Sequence, residues 1–419
     1  MVDCRMNALL PRLRAALDVM PSPMPDRPGL VLRDPFRYSE DTLLIPPAWV
    51  PVLSCLDGNH SELDAQAMLV RQGGGSLVFS EDLREFVGML RSRGFLETEE
   101  FFAIQERRHA EFRTSVERMP ALAGGAYPED PGLLKEAFDP RFEEGVAAAG
   151  TGVRNGKCVG LAAPHVSPDG GWDCYAAAYR LVDPSLAEKT FVILGTSHYG
   201  EPGKFGLTRK PFVTPLGTAA VDEELVESLA REAPDLVTEE DYCHAIEHSI
   251  EFQVVFLQYR LAAPVTIVPI LCGPLGGSWQ AGAETDWRRE VQPFIDALTD
   301  VGNKRADSLF WLLGIDLAHM GKRYGDDFAV QAGDGPMAEV EHRDRERLES
   351  VCAGDPAGFA DRVQPATDEL KWCGFSPLYT FMASQKPVSP VEARVLHYQQ
   401  WNIDPQSVVS FAGLEFFEA

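Results

Sequence analysis

Short, continuous apolar runs recur along the chain from about residue 157 onward, and each ends in turn-forming or polar residues. Runs of this length with such boundaries are typical of strands that are buried on both faces of a sheet. Four strands are predicted in this way, and they read CVGLAAPH from residue 158, FVILGTSH from 191, VTIVPILCG from 265 and SLFWLLGID from 308. The pattern therefore predicts parallel strands in the interior of a domain.

Stretches with helical periodicity lie between the predicted strands. The clearest helix start is Asp222, because an aspartate followed by two glutamates caps and complements the first turn of a helix. Helices are predicted at residues 174–181, 222–232, 249–261 and 287–298. This alternation predicts an α/β domain over residues 151–419, with a mixed or mostly parallel central sheet flanked by helices.

The N-terminal part of the chain has a different pattern. Residues 1–38 are predicted to be an irregular leader with one short helix, 8–19, because prolines interrupt the rest. Residues 39–100 contain two amphipathic stretches separated by GGGSLVFS, which predicts a small helical domain. The charged sequence that follows predicts a helical connector within residues 101–150.

The small domain resembles PqqD-like domains, which are winged helix-turn-helix modules that recognise ribosomally made peptides. The resemblance is carried by LDGNHSELDAQAMLV from residue 56 and by MLRSRGFLET from residue 89. It implies that the domain recruits a peptide. A generic winged-helix appendage that only packs on its neighbour would show much of the same apolar spacing, so both interpretations stay open.

Composition and charge narrow the classes of function. The chain of 419 residues has a formal net charge of −25, which opposes binding to nucleic acid or to an anionic lipid surface. No apolar run reaches the roughly eighteen residues that a membrane-spanning helix needs. The N-terminus also lacks the pattern of a secretory signal. We therefore predict a cytoplasmic protein with neither a nucleic-acid partner nor a membrane partner.

Polar side chains follow several of the apolar runs directly. His165 and His198 end the first two strands, Asp316 and His319 follow the fourth, and the segment ELKWCG delivers Cys373. In an open α/β sheet, ligands bind at the carboxyl ends of the strands. A single histidine of this kind is more often a structural residue, but recurrence at equivalent strand ends favours one shared metal site.

The motifs of this region resemble those of the Memo family, whose bacterial members are known as AmmeMemoRadiSam system protein B. The matching motifs, in order, are PH with YAAAY, ILGTSH, FVTPLGTAAVD, EHSIEFQVVFLQ, VPILCGP, IDLAHMGKRYG and CGFSPL. The resemblance covers about Lys157 to Phe416. It implies a fold similar to that of class III extradiol dioxygenases of the LigB type, which are non-haem iron enzymes.

The same resemblance implies a metal site. His165 and His198 match two metal-binding histidines of the family, and Cys373 matches its metal-binding cysteine. Two imidazoles and one thiolate leave coordination positions open, as a reacting metal requires. Iron is the metal expected from the likeness to the dioxygenases, while copper and zinc are also compatible with these donors.

Further residues are implied as catalytic groups around the metal. Asp316 and His319 match a pair beside the metal, with His319 at the position of the acid–base histidine of the dioxygenases. His248 matches another histidine of the pocket. Imidazole titrates near neutral pH, which suits a group that transfers protons.

We therefore expect a metal-dependent redox enzyme of dioxygenase-like architecture. Its substrate would be a small molecule or a peptide recruited by the N-terminal domain, and a radical SAM enzyme is an expected partner. The alternative is a non-catalytic metal- or peptide-binding protein of the Memo family. A zinc hydrolase with the same ligands is a third hypothesis.

Three other features belong to these hypotheses. The loop 166–172 departs from the family pattern, so the pocket near it is expected to differ. Glu247 and Glu251 have helical spacing, which predicts two carboxylates on one helix face beside His248. Cys243 and His244 are interpreted as surface or loop residues rather than ligands.

Overall fold

The computed structural model describes residues 9–22, 24, 26–72, 79–146, 156–276, 286–387 and 391–418. The chain divides into two compact units, Met1–Thr114 and Ser115–Ala419. The division falls inside the region for which the sequence predicts a connector, because the charged helix there ends at Thr114.

The first unit is a small antiparallel sheet followed by helices. Its strands are β1 (Asp18–Pro21), β2 (Leu30–Arg33) and β3 (Thr42–Ile45), in the order β1-β2-β3. Its helices are α1 (Val50–Leu53), α2 (Glu62–Gln72), α3 (Ser80–Ser92) and α4 (Glu99–Thr114). The helices α2, α3 and α4 confirm the helices that were predicted from the two amphipathic stretches and from the charged stretch. The winged-helix and peptide-binding interpretations of this unit remain predictions.

The helix predicted over residues 8–19 is wrong, and the leader is not irregular throughout. Leu9 and Leu13 form β-bridges to Ser61 and Leu96, and two strands lie between residues 18 and 33. Arg14 helps to hold this segment in its non-helical path. Its buried guanidinium donates to both carboxylate oxygens of Asp34 at 2.7 and 2.9 Å. Tertiary pairing has therefore outweighed the local helical pattern.

The second unit contains the large α/β fold. Its first half consists of α5 (Pro131–Val146), β4 (Cys158–Ala163), α6 (Pro168–Tyr179), β5 (Thr190–Thr196), β6 (Phe205–Leu207), β7 (Phe212–Thr214), β8 (Gly217–Val221), α7 (Glu223–Glu232), β9 (Val237–Glu239), α8 (Cys243–Ile246) and α9 (Glu251–Leu261). Its second half consists of β10 (Thr266–Cys272), α10 (Trp287–Arg305), β11 (Leu309–Gly314), β12 (His319–Gly321), α11 (Gly335–Cys352), α12 (Pro356–Val363), α13 (Phe375–Gln385), β13 (Val391–Asp404) and β14 (Ser407–Glu418).

The predicted α/β class is confirmed by the sheet. In the part of the chain that the structure describes, eleven strands form it, and its main path runs β12-β14-β4-β11-β5-β10-β6-β9. The central strands β4, β11, β5 and β10 are parallel to one another, and they are the four strands that the apolar runs predict. Separate apolar clusters cover its two faces, one including residues of α10 and α13 and the other residues of α6 and α9. Because parallel strands end at the same edge, the loops after β4, β5 and β11 lie side by side.

A long hairpin at the C-terminus was not predicted. Strands β13 and β14 pair along nearly their whole length, and β14 joins the sheet antiparallel to β4. The same strand pairs with β12, where His319 lies opposite Val409. The hairpin therefore positions the residue that begins β12.

The start of α9 lies very close to the carboxyl edge of the sheet. A methyl group added to Gly314 would lie 2.1 Å from the backbone oxygen of Ser249, and one added to Gly195 would lie 2.5 Å from its hydroxyl oxygen. Only glycine permits this approach at the two strand ends. Within the described ranges, no helix is long and apolar enough to cross a membrane.

Candidate metal centre

Three histidines meet at the carboxyl edge of the sheet. His165 follows β4, His198 follows β5, and His248 precedes α9. The distances between ring centroids are 5.0 Å for His165 and His198, 5.2 Å for His165 and His248, and 5.0 Å for His198 and His248. One nitrogen from each ring lies within 4.8 Å of the others, which is close enough for a shared ion.

Each of these rings is held through its Nδ1 atom. Nδ1 of His165 lies 3.0 Å from the backbone oxygen of Gly314. Nδ1 of His198 lies 3.1 Å from both carboxylate oxygens of Glu247, and Nδ1 of His248 lies 2.9 Å from one of them. Carbonyl and carboxylate oxygens only accept hydrogen bonds, so Nδ1 carries the proton and Nε2 is the nitrogen available to a metal.

Glu247 is the carboxylate that orients two of the three rings. It is buried, and it also accepts hydrogen bonds from the backbone N–H groups of His198 and His248 at 2.9 and 2.8 Å. Burial opposes its ionisation, but the charges of the two histidines and their hydrogen bonds hold the pKa of Glu247 well below its usual value. Glu247 is predicted from the sequence to lie beside His248, but its role in orienting the rings is not predicted.

The prediction that Glu247 and Glu251 share a helix face is wrong. Glu247 has extended backbone after α8, whereas Glu251 is the first residue of α9. Glu251 is fully buried and accepts hydrogen bonds from Arg118 and from the hydroxyl of Tyr127. Arg118 also donates to the backbone oxygen of Glu247 at 2.8 Å. Glu251 therefore helps to anchor the loop that carries Glu247 and does not contribute a donor to the centre.

Cys373 lies against the histidines, in the turn before α13. Its Sγ atom is 3.4 Å from Nε2 of His165 and 3.6 Å from the backbone oxygen of Asp316. Burial opposes its ionisation, but the charges of His165 and His319 and hydrogen bonds from His165 and His198 hold the pKa of the thiol well below its ordinary value. Cys373 is therefore a thiolate beside the imidazole nitrogens.

The negative charges near the rings raise the pKa of two of the three histidines. Burial opposes protonation of His165, but Asp316 and Cys373 raise its pKa to about 9. Burial also opposes protonation of His198, and Glu247 and Cys373 outweigh that effect and raise its pKa well above the ordinary value. Burial lowers the pKa of His248. Without an ion, the centre therefore holds protons that a metal would displace.

Asp316 fixes the loop that carries His165. One carboxylate oxygen accepts hydrogen bonds from the backbone N–H groups of His165 and Val166 at 3.0 and 3.3 Å. The other oxygen lies 3.5 Å from Nε2 of His165. The carboxylate thus faces the same nitrogen as Cys373 does.

His319 lies at the edge of the group. It is the first residue of β12, so it lies on a strand and not on a helix. Nδ1 of His319 is 3.0 Å from the backbone oxygen of Leu317, and its ring packs edge-on against Tyr324 at 4.8 Å. The contact with Leu317 therefore uses Nδ1 of His319 and not Nε2.

Two other sequence-based expectations meet different outcomes. The region 166–172 is largely the start of α6, which begins earlier than predicted, and Trp172 packs on Phe138 at 4.7 Å. Cys243 and His244 are buried rather than exposed. Nε2 of His244 donates to the backbone oxygen of Gly206 at 3.0 Å, and burial lowers the pKa of this ring to about 4. His244 is therefore a neutral structural residue.

The three histidines form a group that could hold a metal ion, and Cys373 lies beside it. Three imidazole nitrogens and one thiolate are ligands that iron, copper and zinc all accept. Their orientation is fixed by hydrogen bonds, as is common for metal-binding histidines. The donor types alone do not choose among these metals.

The chain is similar to a set of known proteins over this same region. A family model described as "Memo-like protein" matches residues 118–415, which include every residue of the centre. A MEMO1 family protein from Aquifex aeolicus is 25% identical, with 92% of this chain and 96% of that protein covered. A MEMO1 family protein from Methanopyrus kandleri is 27% identical, with 72% and 99% covered. A solved structure of an uncharacterized protein from Escherichia coli K12 is 10% identical with a TM-score of 0.36, over 62% of this chain and 99% of that one.

Proposed function

Because the chain belongs to the Memo-like protein family, we propose that it is a metal-dependent oxidoreductase of dioxygenase-like architecture. The ion is held by His165, His198 and the thiolate of Cys373, with iron as the first candidate and copper next. The observation that carries the proposal is the convergence of imidazole nitrogens with Cys373, whose Sγ lies 3.4 Å from Nε2 of His165.

Iron or copper bound at these donors would supply one-electron redox chemistry, and zinc would polarise a substrate oxygen. The protein supplies the remaining functions. Glu247 keeps the rings of His198 and His248 in the orientation that presents Nε2, and Asp316 holds the loop of His165 in place. His319 is the group that gives or takes a proton, because its Nδ1 is already bound to a carbonyl and its Nε2 is not.

Substrate reaches the centre on the side of His198 and His248. Their side chains are 28% and 29% exposed, whereas that of His165 is 2% exposed. A small molecule or a peptide side chain is the proposed substrate, and the first unit is the proposed recruiting element for a peptide. A radical SAM enzyme as partner and a cytoplasmic location belong to the same proposal.

A second function is favoured by the position of His248. His165, His198 and His248 could hold an ion together, and if Cys373 also binds it, four protein donors close the coordination of the metal, as in structural sites. The protein would then hold a metal without reacting through it. The choice therefore depends on whether a coordination position stays open.

Binding of nitric oxide to the iron-loaded protein distinguishes these functions. The protein is purified and loaded with iron(II) without oxygen, exposed to nitric oxide, and measured by electron paramagnetic resonance. The proposed enzyme gives the spin-3/2 signal of an iron–nitrosyl group, because a position is open. Stoichiometric iron with no such signal supports the metal-holding protein, and absence of bound metal under all loading conditions excludes both.

A further inference from the structure

Helix α11 buries two charged side chains. Asp344 is 0% exposed and Arg347 is 4% exposed, and they lie one turn apart on the helix face that also buries Val340, Leu348 and Val351. Buried charges cost more than apolar residues of similar size unless each is well paired. The hydrogen-bond partners of Asp344 and Arg347 therefore show which segment of the chain this face of α11 fixes in position.

Both charges hold the segment that leads into Cys373. One oxygen of Asp344 accepts a hydrogen bond from the indole nitrogen of Trp372 at 2.6 Å. Arg347 donates to both oxygens of Asp368 at 2.6 and 3.2 Å. Asp368 in turn accepts the backbone N–H groups of Leu370 and Trp372 at 2.9 and 2.8 Å. The chain next to Cys373 is thus fixed on the α11 side by two buried charges.

The other oxygen of Asp344 reaches the C-terminal hairpin formed by β13 and β14. It accepts hydrogen bonds from the hydroxyl of Ser410 at 2.6 Å and that of Tyr398 at 2.8 Å. The oxygen of that Ser410 hydroxyl accepts the backbone N–H of Ala318 at 2.9 Å, and the Ser410 backbone pairs with Leu317 and Ala318. One carboxylate therefore joins the turn of Cys373 to the loop between Asp316 and His319.

We propose that Asp344 is a positioning residue that sets the place of the Cys373 thiolate relative to the histidine nitrogens, with Arg347 in support. This inference rests on the proposed metal centre and identifies what keeps its sulfur ligand in reach. Burial raises the pKa of Asp344 to about 6 against the effect of its hydrogen-bond donors. At neutral pH it is mainly the carboxylate, which can accept from all three donors.

Cobalt(II) substitution tests this role, because a cobalt–thiolate bond gives a charge-transfer absorption band in the near ultraviolet. Wild-type protein is expected to show the band, and Cys373→Ser is expected to lose it. In Asp344→Asn the band is expected to weaken or shift, with a loss of cobalt affinity of about 10- to 100-fold. Trp372→Phe removes only the indole donor, and a smaller change in the same direction is expected.

The matched control is Glu415→Gln, which removes a buried carboxylate farther along the same strand as Ser410. Glu415 is buried and its carboxylate pairs with Arg394 at 2.6 Å, so this variant is expected to keep the wild-type band. A wild-type band and affinity in both Asp344→Asn and Trp372→Phe overturn the inference while leaving the metal centre intact. If Asp344→Asn does not fold, Trp372→Phe decides alone. Absence of the band in wild-type protein overturns this inference and the proposed sulfur ligand together.

Discussion

The Sγ atom of Cys373 lies 3.4 Å from Nε2 of His165. This contact favours a negative charge on the sulfur and a positive charge on the ring. A thiolate against an imidazolium is a stable arrangement in a buried site, because each charge compensates the other. It also keeps the sulfur deprotonated, which is the form that binds a metal. The same pair therefore stabilises the protein without an ion and prepares the donors for one.

Ligands and proton-transfer residues should respond differently to substitution. His165→Ala is expected to lose most of the bound metal, because it removes a donor and the partner of Cys373. His319→Gln is expected to keep wild-type metal content, because Nε2 of His319 is assigned to proton transfer. Metal per protein, measured by mass spectrometry after anaerobic purification, checks the pair. Equal metal loss in both variants would show that His319 is itself a ligand.

Metal affinity should rise with pH. The pKa of His165 is raised to about 9 and that of His198 is also raised, so both rings hold protons near neutral pH. The pKa of Cys373 is lowered, so the thiol releases no further proton there. Metal binding must displace up to about two protons, and the logarithm of the apparent affinity should rise by one to about two for each pH unit. Competition titrations between about pH 6 and 8 measure this slope, and a flat profile would contradict the charge assignment.

Among the elements, the entry to α9 is the one on which the centre depends most. Glu247 and His248 lie just before it, Arg118 donates to the backbone of Glu247, and Glu251 pairs with Arg118 inside the protein. This clamp holds a loop that has little regular structure of its own. Rigid support of this kind is needed if donor nitrogens are to stay within bonding reach of one ion.

Breaking the clamp should destabilise the second unit strongly. Arg118→Met leaves the buried carboxylate of Glu251 without its cation, which is expected to cost about 3–5 kcal/mol of unfolding free energy. Chemical denaturation measures the change. The control is Arg288→Met, whose ion pair with Asp361 is exposed at 42% and 70% of the two side chains, and which should change stability by less than about 1 kcal/mol. Equal effects in the two variants would show that Arg118 is not a structural clamp.

The secondary-structure elements also show why part of the fold could be predicted from the sequence. Continuous apolar runs identify β4, β5, β10 and β11, because strands covered on both faces must be apolar throughout. The hairpin β13–β14 and the strands of the first unit depend on pairing with distant residues, which no local pattern records. The role of Glu247 in orienting the rings of His198 and His248 could not be predicted for a similar reason, since these rings come together only in the folded chain.

At the level of the whole molecule, each of the two units has an apolar cluster of its own. The cluster with Leu32, Val52 and Phe95 lies in the first unit, whereas the two clusters on the central sheet lie in the second. Every donor of the centre also belongs to the second unit. The metal site should therefore be a property of that unit alone.

A chain that begins at Ser115 is expected to fold and to bind metal with the stoichiometry of the full-length protein. Metal analysis of both chains after identical anaerobic loading checks this expectation. If the shorter chain is folded by circular dichroism but binds no metal, residues of the first unit contribute to the site. That result would require the donor set to be assigned again.

The proposed centre binds an ion through histidine nitrogens and the thiolate of Cys373. X-ray absorption spectroscopy of the metal-loaded protein tests it most directly, because sulfur and nitrogen neighbours differ in scattering and distance. One sulfur is expected at about 2.3 Å and two or three nitrogens at about 2.0–2.1 Å, distances typical of zinc sites. The sulfur contribution is expected to disappear in Cys373→Ser. A shell of nitrogen and oxygen alone in the wild-type protein would contradict it.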